Sequence, residues 1–152
     1  YIKNISKEKT CFICEAVSNP NKLENLVVYI NKLIVIMLNK YPYNSGHLLI
    51  APNRHIKNLE EVNEEEWKEL INGILIGKRI LDKVYKPQGY NVGINLGKVA
   101  GAGLEDHLHI HIVPRWAGDT SFMTTISNTK VIPQSLEESL KELRNEISKL
   151  NI

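Results

Sequence analysis

The sequence predicts an α+β domain with a five-stranded, mainly antiparallel sheet and two main helices. Three observations predict it. Five short runs of β-forming residues punctuate the chain, two amphipathic segments open with helix-capping pairs, and no linker divides the 152 residues. One domain spanning 1–152 is therefore expected, long enough to bury a core without disulfides.

The β-type runs fall at residues 26–29, 33–38, 47–51, 90–96 and 108–113. Asn31-Lys32 reads as a hairpin turn between the first two, though without the glycine usual in the tightest turns. The first helix is announced at Asn63, followed by Glu64-Glu65-Glu66. Glu66 stands three residues after the cap, and the acidic residues suit the positive end of the helix dipole. Trp67, Leu70, Ile71, Ile74 and Leu81 are expected to form its apolar face, until Pro87-Gln88-Gly89 ends the element. The second helix opens at Ser135 with Glu138 at the same offset. Leu136, Leu140, Leu143, Ile147 and Leu150 form its narrow packing stripe.

Composition excludes several function classes. The residues are 43% hydrophobic and 24% charged, with a net charge of only +2. No broad basic footprint points to nucleic acid, and no apolar run is long enough for a membrane span. An anionic substrate would have to be met by a local site. No secretory leader is visible, and a cytoplasmic location is expected. Cys11 and Cys14 are too close for a disulfide framework. Their spacing is that of half a metal site or of a redox pair, and two buried reduced thiols remain the alternative.

His107, His109 and His111 alternate with Leu108, Ile110 and Ile112. In a strand this puts three imidazoles on one face and three aliphatic side chains on the other. One metal held by all three is disfavoured, because the outer two α-carbons would lie about 13 Å apart at about 3.3 Å per residue. Separate roles fit better: a neutral imidazole is a competent nucleophile and also exchanges protons near neutral pH. Just upstream, Gly97, Gly101 and Gly103 punctuate NLGKVAGAGLEDH, a loop whose backbone N–H groups can approach phosphate oxygens.

With these residues in view, HLHIHIV resembles the signature of the histidine-triad (HIT) nucleotide hydrolases and transferases. The likeness extends to CFIC near the start, LNKYPYNSGHLLIAPNRH in the middle and NLG before HLHIHIVPRW. The trailing VPRWAGDTSFM resembles the phosphorylase-like branch that acts on diadenosine tetraphosphate. The resemblance implies a HIT-like fold and cleavage of dinucleoside polyphosphates through a nucleotidyl-histidine intermediate. Inorganic phosphate or water would be the acceptor, with neither catalytic metal nor organic cofactor. A hydrolase or phosphoramidase of the same family, and a nucleotide-binding regulatory module, are the alternatives.

Carried over position by position, the resemblance makes His109 the nucleophile and His111 the phosphate-contacting histidine. Asn39 falls where the ribose hydroxyls are held, Asn95 near the phosphates, and Ala102 and Gly103 in the phosphate loop. Phe12, Ile13 and Met37 match positions that sandwich the base. Cys11, Cys14, His55 and His107 match the ligands of a structural zinc ion, while His47 reads as a supporting or packing residue. The resemblance also implies a homodimer meeting across helix 63–86 and an adjoining strand. The chain departs from some branches just before the triad. Gly103-Leu104-Glu105-Asp106 stands where those branches carry Gln or Ser, which argues against the phosphoramidase branch.

Overall fold

The computed structural model describes residues 11–41, 45–101, 107–119 and 135–152. Within them the elements run α1 (Phe12–Ser18), β1 (Val27–Ile30), β2 (Ile34–Leu38), β3 (Leu48–Pro52), α2 (Glu64–Val84), β4 (Gly89–Ile94), β5 (Ile110–Arg115) and α3 (Leu136–Ser148). Short 3₁₀ turns occupy Leu23–Asn25, Leu59–Glu61 and Lys98–Ala100. The five strands form one sheet in the order β1-β2-β3-β5-β4, with every neighbouring pair antiparallel.

Both expected caps open real helices, and the one at Asn63 is a full capping box. Asn63 accepts from the backbone N–H of Glu66, and the Glu66 carboxylate reaches back to the N–H of Asn63. Ser135 caps α3 by accepting from the backbone N–H of Glu138. The apolar face of α2 lies differently from the expectation. Leu70, Gly73, Ile76, Gly77, Ile80 and Leu81 are buried, whereas Ile71 is 55% exposed. The reason is close approach to the sheet. A Cβ on Gly73 would come within 2.9 Å of side-chain carbons of Ile34 and Ile50, so the two glycines, not the bulky residues beside them, face the strands.

Alternation along the strands divides the core in two. Ile34, Ile36, Leu38, Leu48, Ile50, Ile110 and Ile112 point toward α2 and α3. Val35, Met37, Leu49 and Ala51 point the other way, against Cys11, Ile13 and Ala16 at the start of the chain. β2 and β3 are consequently buried on both faces, which is why they read as continuous apolar runs.

Helix α1 is absent from the expectation. It is seven residues long, and its cap is a sulfur: the side chain of Cys11 accepts from the backbone N–H of Cys14. The hairpin between β1 and β2 turns at Asn31 as expected. The Asn31 Oδ1 accepts from the N–H groups of Leu33 and Ile34, a side-chain substitute for the missing glycine.

Candidate functional site

Register brings the site together. Val27 pairs with Met37, Met37 with Leu49, Leu49 with His111, and His111 with Gly93. One row of side chains thus crosses the whole sheet on the face that carries α1. His111 lies in that row beside the apolar positions near Phe12, while Leu108, Ile110 and Ile112 enter the opposite core. The expected division of imidazoles from aliphatics holds. Regular strand pairing, however, begins only at Ile110; His107 to His109 form its extended approach.

That approach is fastened by two contacts to the end of β3 and the segment that follows it. The Leu108 N–H donates to the Ile56 carbonyl at 2.7 Å, and His107 Nε2 lies 2.8 Å from the Pro52 carbonyl oxygen. A carbonyl oxygen only accepts, so His107 carries its proton on Nε2 and leaves Nδ1 as a lone pair. His107 Nδ1 faces Cys11 Sγ at 3.4 Å, Cys14 Sγ at 3.6 Å and His55 Nδ1 at 3.2 Å. His55 Nδ1 is 3.3 Å from Cys11 Sγ and 3.2 Å from Cys14 Sγ.

Those separations can be tested against a metal. Four ligands at the corners of a tetrahedron, about 2.0–2.3 Å from the ion, stand about 3.3–3.8 Å from one another. Five of the six separations among the ligand atoms of Cys11, Cys14, His55 and His107, at 3.2–3.6 Å, lie close to that frame, and all four atoms lie within 4.8 Å of one another. The donor set fits a metal ion. Beside it, the Arg54 guanidinium forks onto the buried carboxylate of Glu66 at 2.7 and 2.9 Å and donates to the Glu61 carbonyl. The chain neighbour of His55 is thereby anchored to the start of α2.

The other two triad histidines are held by different groups. His109 Nδ1 lies 2.7 Å from the His107 carbonyl oxygen. His111 Nδ1 lies 2.9 Å from His47 Nε2, and its Nε2 lies 3.4 Å from Asn95 Nδ2. The His109 and His111 rings meet edge to face, 4.8 Å between centroids. Burial pushes both His47 and His111 down to about 4, helped at His47 by His111 and His109 and at His111 by His109, so the two rings are neutral at neutral pH.

Asn39 sits at the end of β2, its Nδ2 lying 3.3 Å from His47 Nδ1 and its Oδ1 accepting from the Tyr41 N–H. Each end of its amide keeps one further hydrogen-bonding position. Asn39 also lines a cleft of about 480 Å³ together with Phe12, Met37, Asn25 and Glu24. Phe12 is 38% exposed in that cleft, as a surface for a flat ring requires. Ile13 is elsewhere. It is wholly buried in the core under α1, because the helix turns consecutive residues to different sides, and it does not line the cleft.

Asn95 opens the glycine loop, in which Gly97 and Gly101 take φ of +83° and +96°, values that favour glycine. Ala102 and Gly103 lie outside the described residues, as do Glu105 and Asp106. Arg115 is committed to its own neighbourhood. Its Nε and Nη2 fork onto Asp119, and its Nη1 donates to Asn91. Sequence reasoning also missed the contact between His47 and His111, and the cleft residues Glu24 and Asn25. The first had a legible signal in a histidine placed within an apolar run; the others lie in a turn with no periodicity to mark it.

A HIT domain family model matches residues 21–118. The chain belongs to the HIT family. It is 46% identical, over 123 residues, to the AP-4-A phosphorylase of Mycobacterium tuberculosis, covering 81% of this chain and 63% of that protein. This HIT chain therefore spans less than two thirds of that relative's length. It is 32% identical over 95 residues to the asymmetrical bis(5'-nucleosyl)-tetraphosphatase of Schizosaccharomyces pombe, covering 62% of this chain and 52% of the relative. Among solved structures, a zinc-bound histidine triad family protein from Mycobacterium smegmatis matches with a TM-score of 0.74 at 25% identity. That match covers 95% of this chain and 97% of the other.

Proposed function

We propose that this HIT protein is an enzyme that cleaves dinucleoside polyphosphates such as diadenosine tetraphosphate, with His109 as nucleophile. One observation carries the reading. Because the His107 carbonyl can only accept, its 2.7 Å contact fixes the His109 proton on Nδ1 and leaves Nε2 as an unprotonated nucleophile. The likeness to the mycobacterial phosphorylase and the yeast tetraphosphatase supports the substrate class.

His109 Nε2 attacks the α-phosphorus, and the P–O bond to the remaining polyphosphate breaks. From diadenosine tetraphosphate this leaves adenylyl-His109 and releases ATP. Inorganic phosphate then attacks the adenylyl phosphorus to give ADP, or water attacks to give AMP. His111, with Asn95 beside it, is placed to contact the phosphate oxygens, and His47 orients the His111 ring. In this reading the base lies along Phe12 and Met37 while Asn39 meets the ribose. Product analysis with and without phosphate, together with trapping of the adenylyl-protein by alkaline denaturation, which spares an acid-labile P–N bond, tests the scheme. A protein that turns over without a trappable, acid-labile adduct would refute it.

We assign zinc to Cys11, Cys14, His55 and His107. The zinc-bound mycobacterial neighbour supports that choice of metal. A four-ligand site leaves no open position for substrate, so the ion's contribution is to tie the first residues of α1 to the approach to β5. We also assign a homodimer, supported by the exposed Ile71 and Leu75 of α2 and Val92 of the edge strand β4. We place this chemistry in the cytoplasm, where Cys11 and Cys14 stay reduced.

A further inference from the structure

We infer that Asn25, backed by Glu24, selects the base: the cleft takes a purine carrying a 6-amino group and rejects its 6-oxo counterpart. The inference rests on the nucleotide reading of the cleft and goes beyond it, because apolar packing on Phe12 and Met37 does not distinguish one purine from another.

The amide of Asn25 is locked. Its Nδ2 donates to the Asn19 carbonyl at 2.8 Å and to a Glu15 carboxylate oxygen at 3.2 Å, with the Glu15 carbonyl at 3.5 Å. All three neighbours only accept, so the amide cannot flip its oxygen to that side. The Glu15 carboxylate is itself held by Asn19 Nδ2 at 3.0 and 3.1 Å. Among the described residues no donor engages Asn25 Oδ1, and Asn25 lines the cleft. What Asn25 offers a ligand is therefore an acceptor, and Glu24, lining the same cleft, adds a carboxylate.

The backbone spends strain to put them there. Leu26, directly after Asn25, has φ +58° and ψ +30°, a left-handed conformation unusual for a branched apolar residue. It closes the 3₁₀ turn Leu23–Asn25 and brings the chain into β1, where the Leu26 carbonyl accepts from the N–H of Leu38, next to Asn39. The turn is thus fastened beside the residue assigned to the ribose. A rim of acceptors matches the two N–H donors of a 6-amino group. A 6-oxo group would set oxygen against oxygen and leave Asn25 unsatisfied.

The test is calorimetric binding of AMP and IMP, which differ in amino against oxo at that position. AMP is expected to bind about tenfold more tightly than IMP. Asn25→Ala is expected to bring the two within about twofold, mainly by weakening AMP. Equal binding of AMP and IMP by the unmodified protein would overturn the selection while leaving the nucleotide reading intact, and needs no variant to fold. A tenfold preference that survives in Asn25→Ala would equally overturn the role of Asn25. Failure of both nucleotides to bind would overturn the selection together with the nucleotide reading beneath it.

Discussion

His109 Nδ1 lies 2.7 Å from the carbonyl oxygen of His107, two residues earlier in the same extended segment. The contact joins two proposed functions in one backbone unit. The His107 carbonyl sets the His109 tautomer, while the His107 ring, held by Pro52, turns its Nδ1 to Cys11, Cys14 and His55. A small rotation of that peptide would therefore disturb the proposed nucleophile and the metal group together.

The first prediction tests the nucleophile. His109→Ala is expected to lower turnover of diadenosine tetraphosphate by at least about a thousandfold, with AMP binding changed little. Steady-state kinetics and calorimetry on the same preparation check it. Near-normal turnover would remove His109 from the chemistry.

The second concerns the metal group. Elemental analysis of purified protein is expected to find about one zinc per chain. Burial and the neighbouring Cys11 sulfur push the Cys14 thiol up to about 12 in the metal-free group, so metal binding should release protons and weaken as pH falls. Cys11→Ser is expected to lower the melting temperature by several degrees while reducing turnover far less than His109→Ala. Unchanged melting after exhaustive chelation would refute the structural role.

The third concerns acid stability. The folded values of His47 and His111, about 4, lie below the ordinary imidazole value of about 6.5. Between those pH values the unfolded chain binds more protons than the folded one, so stability rises with pH across the window. The contribution is fully present above about pH 6.5 and is lost progressively toward pH 4. Melting temperature followed from pH 7 to pH 4 is expected to fall, and His47→Gln is expected to flatten the slope. A flat profile in the unmodified protein would show that these rings are not held neutral.

What was legible in the sequence follows from which interactions are local. The helix caps at Asn63 and Ser135 act within one turn, and alternation in HLHIHIV acts within one strand, so both are readable along the chain. Helix α1 was not, because its cap is a cysteine and its stability comes from packing Ile13 and Ala16 against a sheet formed later in the sequence. The face of α2 was misjudged at Ile71, since hydrophobicity cannot say that Gly73 and Gly77 are needed for close approach. At the site, the four metal-group residues do converge. Ile13 does not reach the cleft, and the locked amide of Asn25 depends on Glu15 and Asn19, which no motif connects to it.

The last prediction concerns the acceptor. Both routes share the attack of His109, so the choice turns on whether the vacated polyphosphate site holds an oxyanion better than water. Arg115 ends β5, the strand that carries His111, but Asp119 and Asn91 already occupy its guanidinium. That leaves the glycine loop opening at Asn95, with the His111 Nε2 close to the Asn95 amide. Backbone amides turned by glycines at positive φ suit a phosphate oxyanion. With the likeness to the mycobacterial phosphorylase, this favours phosphate as acceptor. Turnover of diadenosine tetraphosphate is expected to rise and saturate as phosphate increases from zero to tens of millimolar, giving equal ADP and ATP. Arg115→Lys is expected to leave the half-saturating phosphate concentration within about twofold, because the fork serves Asp119. A large rise in that concentration would place Arg115 at the phosphate site. Phosphate-independent release of AMP and ATP would make the protein an asymmetrical hydrolase instead.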